Sequence, residues 1–262
     1  MIGPLSLQGG DTKVIIDCHW HVLFDDYERV IQTSINELKR CGMDRCALMF
    51  HLDLYQKEGD LHRQGEALKK VLKDRKEYFV PFLTVDPNVD FGIVKEGVEE
   101  YVVKGPAVAV KVHHSMKADR KEFEPLANLL SMHGIPVLIH CWYKTVQKYE
   151  NESDPSNIAN LAAKFPDLKI IMAHITGCGF RGIQDIAPYP NVYVDTSGSQ
   201  PEDGIMQYGL DLLGADRILF GSDFPGRDPA TQLGRIYSLD MSEEDRNKIL
   251  GGNSVRLFGG AF

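Results

Sequence analysis

Residues Lys13 to Phe24 read KVIIDCHWHVLF. Val14, Ile15 and Ile16 form a short β-branched run, which predicts a buried strand. Residues two apart on a strand face the same way, so His19 and His21 project together, and Asp17 shares their parity if the strand stays regular to its end. Two imidazoles side by side at the mouth of a buried strand supply half of a divalent-metal site. The plainer alternative is a pair of polar residues in a strand-to-helix loop, and the His-x-His spacing alone does not separate the two. Cys18 has the opposite parity and is expected to stay out of any ligand set.

Outward from this stretch, strand-like and helix-like runs alternate. Helical spacing over Asp25 to Cys41 stops at Gly42; then come RCALMF (45–50), a helix over Leu61 to Lys73, and YFVPFLTV (78–85), where Pro81 is unusual for a central strand. A helix over Phe91 to Val103 precedes AVAVKV (107–112), and one over Glu122 to Met132 precedes PVLI (136–139). Asn157 to Phe165, KIIMA (169–173), a short helix over Ile183 to Ala187, Asn191 to Val194, Ile205 to Leu213 and RILF (217–220) continue the rhythm. Pro229 to Tyr237 and Ser242 to Leu250 close it as helices, the last with Ser242 as N-cap and acids in its first turn. Eight strands, each followed by a helix, predict an α/β fold: a single (β/α)8 TIM barrel over residues 1–262, a length typical of one such domain.

The formal net charge of −8 argues against a nucleic-acid partner. No run approaches 18 apolar residues and no basic-then-apolar leader is present, so no membrane partner and a cytoplasmic location are expected. Five cysteines without CxxC pairing read as reduced thiols.

In barrels of this kind the functional residues come from the C-terminal ends of the strands. Those ends carry His19 and His21, His51, Asp86, then Lys111, His113 and His114, then His140, His174 and Asp223. Seven of the nine histidines fall there, with only His62 and His133 in helical segments; core histidines scattered by chance would not favour one end of the strands. The pattern turns the His-x-His reading toward a metal or catalytic site.

The segments IIDCHWH, VKVH, VLIHC, IIMAHITG, NVYVDTSG and RILFGSDFP, with the closing GGNSVRLF, resemble in order the signature segments of the amidohydrolase superfamily. The branch they resemble is the amidohydrolase 2 type, which also holds the aminocarboxymuconate-semialdehyde decarboxylase group and several lactonases. The resemblance implies His19, His21, His140 and Asp223 as metal ligands, a set that suits zinc at one ion per chain with a water completing the coordination. It also implies Asp223 as proton carrier and His174 as the residue that orients water or steadies oxyanion charge. Ser222 is out of register with Asp223 and is expected to pack behind it.

Lys111 matches a strand-four lysine that is carboxylated and bridges two metals in binuclear members; the alternative favoured here is a mononuclear site with Lys111 holding a substrate carboxylate. His113, His51 and Trp142 are the other substrate-binding candidates. Tyr55, Tyr143, Arg181, Phe224 and Arg227 lie in loops after strands, as pocket walls or rim. No insertion is long enough for a lid, which points to a small-molecule substrate or a pocket completed by an oligomer, and leaves a homodimer open.

Three functions are compatible with such a site. The first is a metal-dependent hydrolase opening a lactone, ester or amide of a small carboxylate. The second is a non-oxidative decarboxylase of an aromatic or unsaturated acid; the third is a scaffold with a degenerate site. Decarboxylases of this type hold the substrate acid with arginines near strand two, and HLDLYQKEGDLHR (51–63) has none before Arg63, which favours hydrolysis.

Overall fold

The computed structural model describes residues 13–51, 56–144, 149–200 and 202–259. The apolar runs become parallel strands: β1 (Ile16–Asp17), β2 (His21–Leu23), β3 (Arg45–His51), β4 (Phe79–Thr84), β5 (Ala109–Val112), β6 (Val137–Ile139), β7 (Ile170–Met172), β8 (Val192–Asp195) and β9 (Ile218–Leu219). They pair in the order β1-β3-β4-β5-β6-β7-β8-β9, with β2 continuing the first strand along β3. The seam between the ends is closed by backbone bonds from Cys18 N to Phe220 O (2.9 Å), Asp223 N to His19 O (2.8 Å) and His21 N to Phe224 O (2.8 Å). With helices between the strands, this is the expected (β/α)8 barrel.

The first strand is not regular to its end. Between β1 and β2 the His19 N–H donates to Asp17 Oδ1 (3.0 Å), which also accepts from Ser222 N (2.9 Å). Asp17 therefore braces the seam from beneath instead of joining the histidines. Pro81, unexpected in a central strand, sits in register with Leu48, and its carbonyl accepts from Val108 N (2.9 Å).

The helices are α1 (Tyr27–Cys41), α2 (Asp60–Arg75), α3 (Phe91–Val98), α4 (Glu124–Met132), α5 (Pro155–Lys164), α6 (Ile175–Ile186), α7 (Ile205–Leu213), α8 (Pro229–Tyr237), α9 (Glu243–Asn247) and α10 (Asn253–Phe258). None among the described residues is long and apolar enough to cross a membrane. The α6 helix starts well before the short helix expected at 183–187, because its glycines mask the periodicity. They are there for packing: a Cβ on Gly177 would lie 2.9 Å from the Trp142 ring, and one on Gly182 2.7 Å from Pro155. Ser242 caps α9 as expected, accepting from Asp245 N (3.1 Å). The helix over 242–250 ends early, passing through a wide turn at Lys248–Gly252 into α10.

Candidate active site

The centre is built on Asp195, the last residue of β8. Its carboxylate is fully buried and accepts from His19 Nδ1 (2.7 Å), His174 N (3.0 Å), Ser197 N (3.0 Å) and the Ser197 hydroxyl. Burial alone would raise its pKa, but His19, His174 and Ser197 outweigh that and hold it well below the usual carboxylate range. With its Nδ1–H given to Asp195, His19 presents Nε2 on its other side, the nitrogen available to a metal. That nitrogen lies 3.1 Å from His21 Nε2 and 3.5 Å from Asp223 Oδ1, and His21 Nε2 lies 3.3 Å from Asp223 Oδ1. Ligands about 2.0–2.1 Å from a tetrahedral cation stand about 3.3 Å apart, so these three atoms have the spacing of one face of a coordination shell. The donor set fits a divalent ion.

Two non-glycine residues among those described have left-handed backbones, His174 (φ 67°) and Asp223 (φ 67°). Such conformations cost energy and are held only where surrounding bonds over-determine them. Here the holding bonds are His174 N to Asp195 and Asp223 N to His19 O. His174 Nδ1 is 2.7 Å from Ser197 Oγ, whose own proton goes to Asp195. His140 Nε2 is 2.8 Å from buried Glu152, which also takes Lys144 Nζ (2.9 Å). These partners leave His174 Nε2 and His140 Nδ1 as facing lone pairs 3.3 Å apart. His140 is thus placed beside His174 and lies outside the close His19–His21–Asp223 group.

Lys111 is fully buried with Nζ 3.4 Å from His19 Nε2; burial pulls its pKa down to about 8 against the pull of Asp195 and Asp223. Asp223 is held well below the usual range: burial pushes it up, but the His21 hydrogen bond and nearby His19 and His174 outweigh it. His51 and His113 cluster with His21, and the Trp142 ring lies 5.0 Å from that of His174. His114 turns aside to stack on Tyr149. Ser222 lies behind Asp223, as expected, with Oγ accepting from Phe224 N (3.1 Å). Phe224 stacks on Trp20, and Arg181 bonds Tyr143 at the surface. Asp86 accepts from Gln56 and Asn88 and organises its own loop. Tyr55 lies outside the described residues.

Asp195, Ser197 and Glu152 were not singled out as site residues from the sequence. Asp195 carried the signal that marked the others, an ionisable residue at a strand end. Glu152 comes from a stretch with no periodicity and gave none.

Gly221 lets this centre close. A Cβ there would meet His19 Cβ at 2.9 Å and Asp195 Cβ at 3.1 Å. Gly221→Ala is expected to displace one of the pair and weaken retention of a divalent ion by about 10–100-fold, the usual cost of disturbing a ligand's outer partner. Competition against a calibrated chelator measures this, and unchanged affinity would contradict the packing argument.

Burial lowers the pKa of His21 to about 3 and of His114 to about 4, and lowers those of His113, His140 and His174. A histidine depressed on folding contributes stability that is present above its unfolded pKa of about 6.5 and is lost as pH falls toward the folded value. Asp17, raised to about 7 by burial, works in the opposite sense. In metal-stripped protein His21, at about 3, should cost roughly 2 kcal/mol between pH 7 and 5, and the other buried histidines act in the same direction, so together they outvote Asp17. Thermal unfolding at the two pH values tests this; an equal or higher midpoint at pH 5 would refute it.

An amidohydrolase family model matches residues 16–260, and the chain belongs to that family. Among curated relatives, the chain is 32% identical over 124 residues to a 2-keto-4-carboxy-3-hexenedioate hydratase of a Sphingobium species. It is 31% identical over 122 residues to a γ-resorcylate decarboxylase of a Polaromonas species. Each match takes in 38% of this chain, and it spans little more than a third of the relative's length, 36% and 37%. Among solved structures, the 5-carboxyvanillate decarboxylase of Sphingomonas paucimobilis superposes with a TM-score of 0.75 at 14% identity, covering 94% of this chain and 99% of that one. A dihydroxybenzoic acid decarboxylase from a Polaromonas species, solved with manganese and 2-nitroresorcinol, gives 0.74 at 17% identity, covering 94% and 97%. At these identities the structures establish the fold.

The hydrolase expected from the sequence is corrected by these relatives, whose named activities are hydration and decarboxylation. The physical reason is that a donor set of two imidazoles and a carboxylate does not discriminate between these chemistries, and the lack of a strand-two arginine was over-read. Arg63 is exposed and paired with Asp60 (2.9 Å), while the buried cation beside the site is Lys111. The zinc expectation is likewise not supported, since the donor spacing specifies a divalent ion and not its identity.

Proposed function

We propose that this chain is a divalent-metal-dependent decarboxylase of a small aromatic or unsaturated carboxylic acid. The observation that carries this reading is the convergence of His19 Nε2, His21 Nε2 and Asp223 Oδ1 beside buried Lys111. The decarboxylase relative and the decarboxylases of the same fold support it. His19, His21 and Asp223 would hold the ion, with His140 approaching from beside His174. A bound divalent ion supplies Lewis-acid polarisation of substrate oxygens.

The chain's own residues do the rest. Lys111 neutralises the substrate carboxylate, and His51 and His113 border it from the β3 and β5 ends. Trp142 walls the side toward His174, where an aromatic ring can pack. Loss of CO2 leaves an electron pair on the ring or vinyl carbon, which must take a proton; Asp223, ionised at rest, is the carboxylate placed to relay one from water. His174, whose Nε2 lone pair faces the site, is placed to orient a water or accept a proton there.

Manganese-loaded protein incubated with 2,6-dihydroxybenzoate and 5-carboxyvanillate, among other aromatic and unsaturated acids, should release CO2, and chelation should abolish the release. Absence of CO2 from every acid in the panel would overturn the reading. The hydratase relative favours a second one, addition of water to an unsaturated keto acid; loss of conjugated absorbance without CO2 would establish that instead.

A further inference from the structure

A second histidine cluster stands beside the first. His21 on β2, His51 at the end of β3 and His113 just after β5 bring their rings together, with centroids 5.5 Å (His21–His51), 5.2 Å (His21–His113) and 4.9 Å (His51–His113) apart. One ring nitrogen from each lies within 4.8 Å of the others. Three imidazoles and no carboxylate make up this group, whereas the neighbouring group combines two imidazoles with Asp223.

We propose that His21, His51 and His113 form a second divalent-cation position, selective for borderline-soft ions such as zinc or cobalt. Two observations beyond the clustering point to a ligand. His113 Nε2 and His21 Nδ1 are buried with no hydrogen-bond partner among the described residues. Buried polar atoms are rarely left unpaired, because each forfeits its water without compensation. A cation taken up between these rings gives such atoms a partner, and an all-nitrogen set discriminates against magnesium and calcium, which need oxygen. The position is also rigid, since two of its rings hang on paired strands: His21 lies in register with Met49, and His51 with Leu23.

His21 is common to both groups. Its Nε2 faces His19 and Asp223, so filling both positions at once uses Nδ1 for the second ion. The ring then bridges the two ions, and its one remaining proton passes to solvent. This arrangement differs from a bridge through carboxylated Lys111, which would involve neither His51 nor His113.

The test counts ions and holds whichever reaction the enzyme catalyses. Chelator-stripped protein is dialysed against excess cobalt or zinc, and bound metal is measured by elemental analysis, with the visible spectrum of cobalt as a second readout. Wild type should bind two ions per chain. His51→Gln, at an exposed position that tolerates change, and His113→Asn should each bind one, and Lys111→Met should still bind two. One ion in wild type at saturation overturns the proposal. So does a second ion that survives both His51→Gln and His113→Asn, or one that is lost in Lys111→Met alone.

Discussion

Asp223→Asn is expected to lower turnover by about 10²–10⁴-fold, the range a lost general acid or base commonly costs. Asparagine keeps the size of the side chain and tolerates the left-handed backbone at this position, so the fold should survive. What disappears is the carboxylate that closes the ligand triangle with His19 and His21 and can carry a proton. The rate is measured at saturating metal, with the thermal midpoint recorded alongside. Turnover within a few-fold of wild type would remove Asp223 from the proton-transfer role.

His21→Ala and His174→Asn should separate holding a metal from using one. His21→Ala deletes a nitrogen from the close triad, so bound metal and turnover should fall together. His19→Ala should do the same and also destabilise the fold by about 1–3 kcal/mol, because it removes one of the four hydrogen bonds that satisfy the buried Asp195 carboxylate. His174→Asn keeps a residue that accepts φ 67° and removes only the imidazole. It should lower turnover by about 10²–10⁴-fold while retaining most of the metal. Metal content and turnover on the same preparations decide it. If His174→Asn empties the site as thoroughly as His21→Ala, His174 is a ligand, and the catalytic role passes to His140.

The fold was legible because a parallel barrel imposes a strong one-dimensional signal. Buried strands such as PVLI and KIIMA read as unbroken apolar runs, and the ionisable residues sit at one end of each. His19 and His21 were legible as a His-x-His pair at a strand end, and Asp223 through the family resemblance; the break between β1 and β2, which turns Asp17 away, was not. Three further things were not. The start of α6 was hidden by glycines chosen for contact with Trp142 and Pro155, which carry no periodicity. Glu152, which holds His140, comes from an irregular loop whose position only the folded chain fixes. The reaction was misread because the same nitrogens and carboxylate serve several chemistries, and the cation opposite them, Lys111, is a buried strand residue and not a loop arginine.

The triangle of His19, His21 and Asp223 straddles the line where the first and last strands meet, with more than 200 residues between its two sides. An ion held there would work as a clasp on the whole cylinder. Contacts so far apart in sequence are slow to form, so the clasp fastens late, after the other strands have assembled. When it is unfastened, the seam rests on its backbone bonds, the Asp17 brace and the Trp20–Phe224 stack, and wherever these open the β1 and β9 edges are exposed as templates for pairing. Loss of the ion then acts on solubility as well as catalysis: chelated protein should exchange its seam amides first and associate edge to edge with other copies of itself.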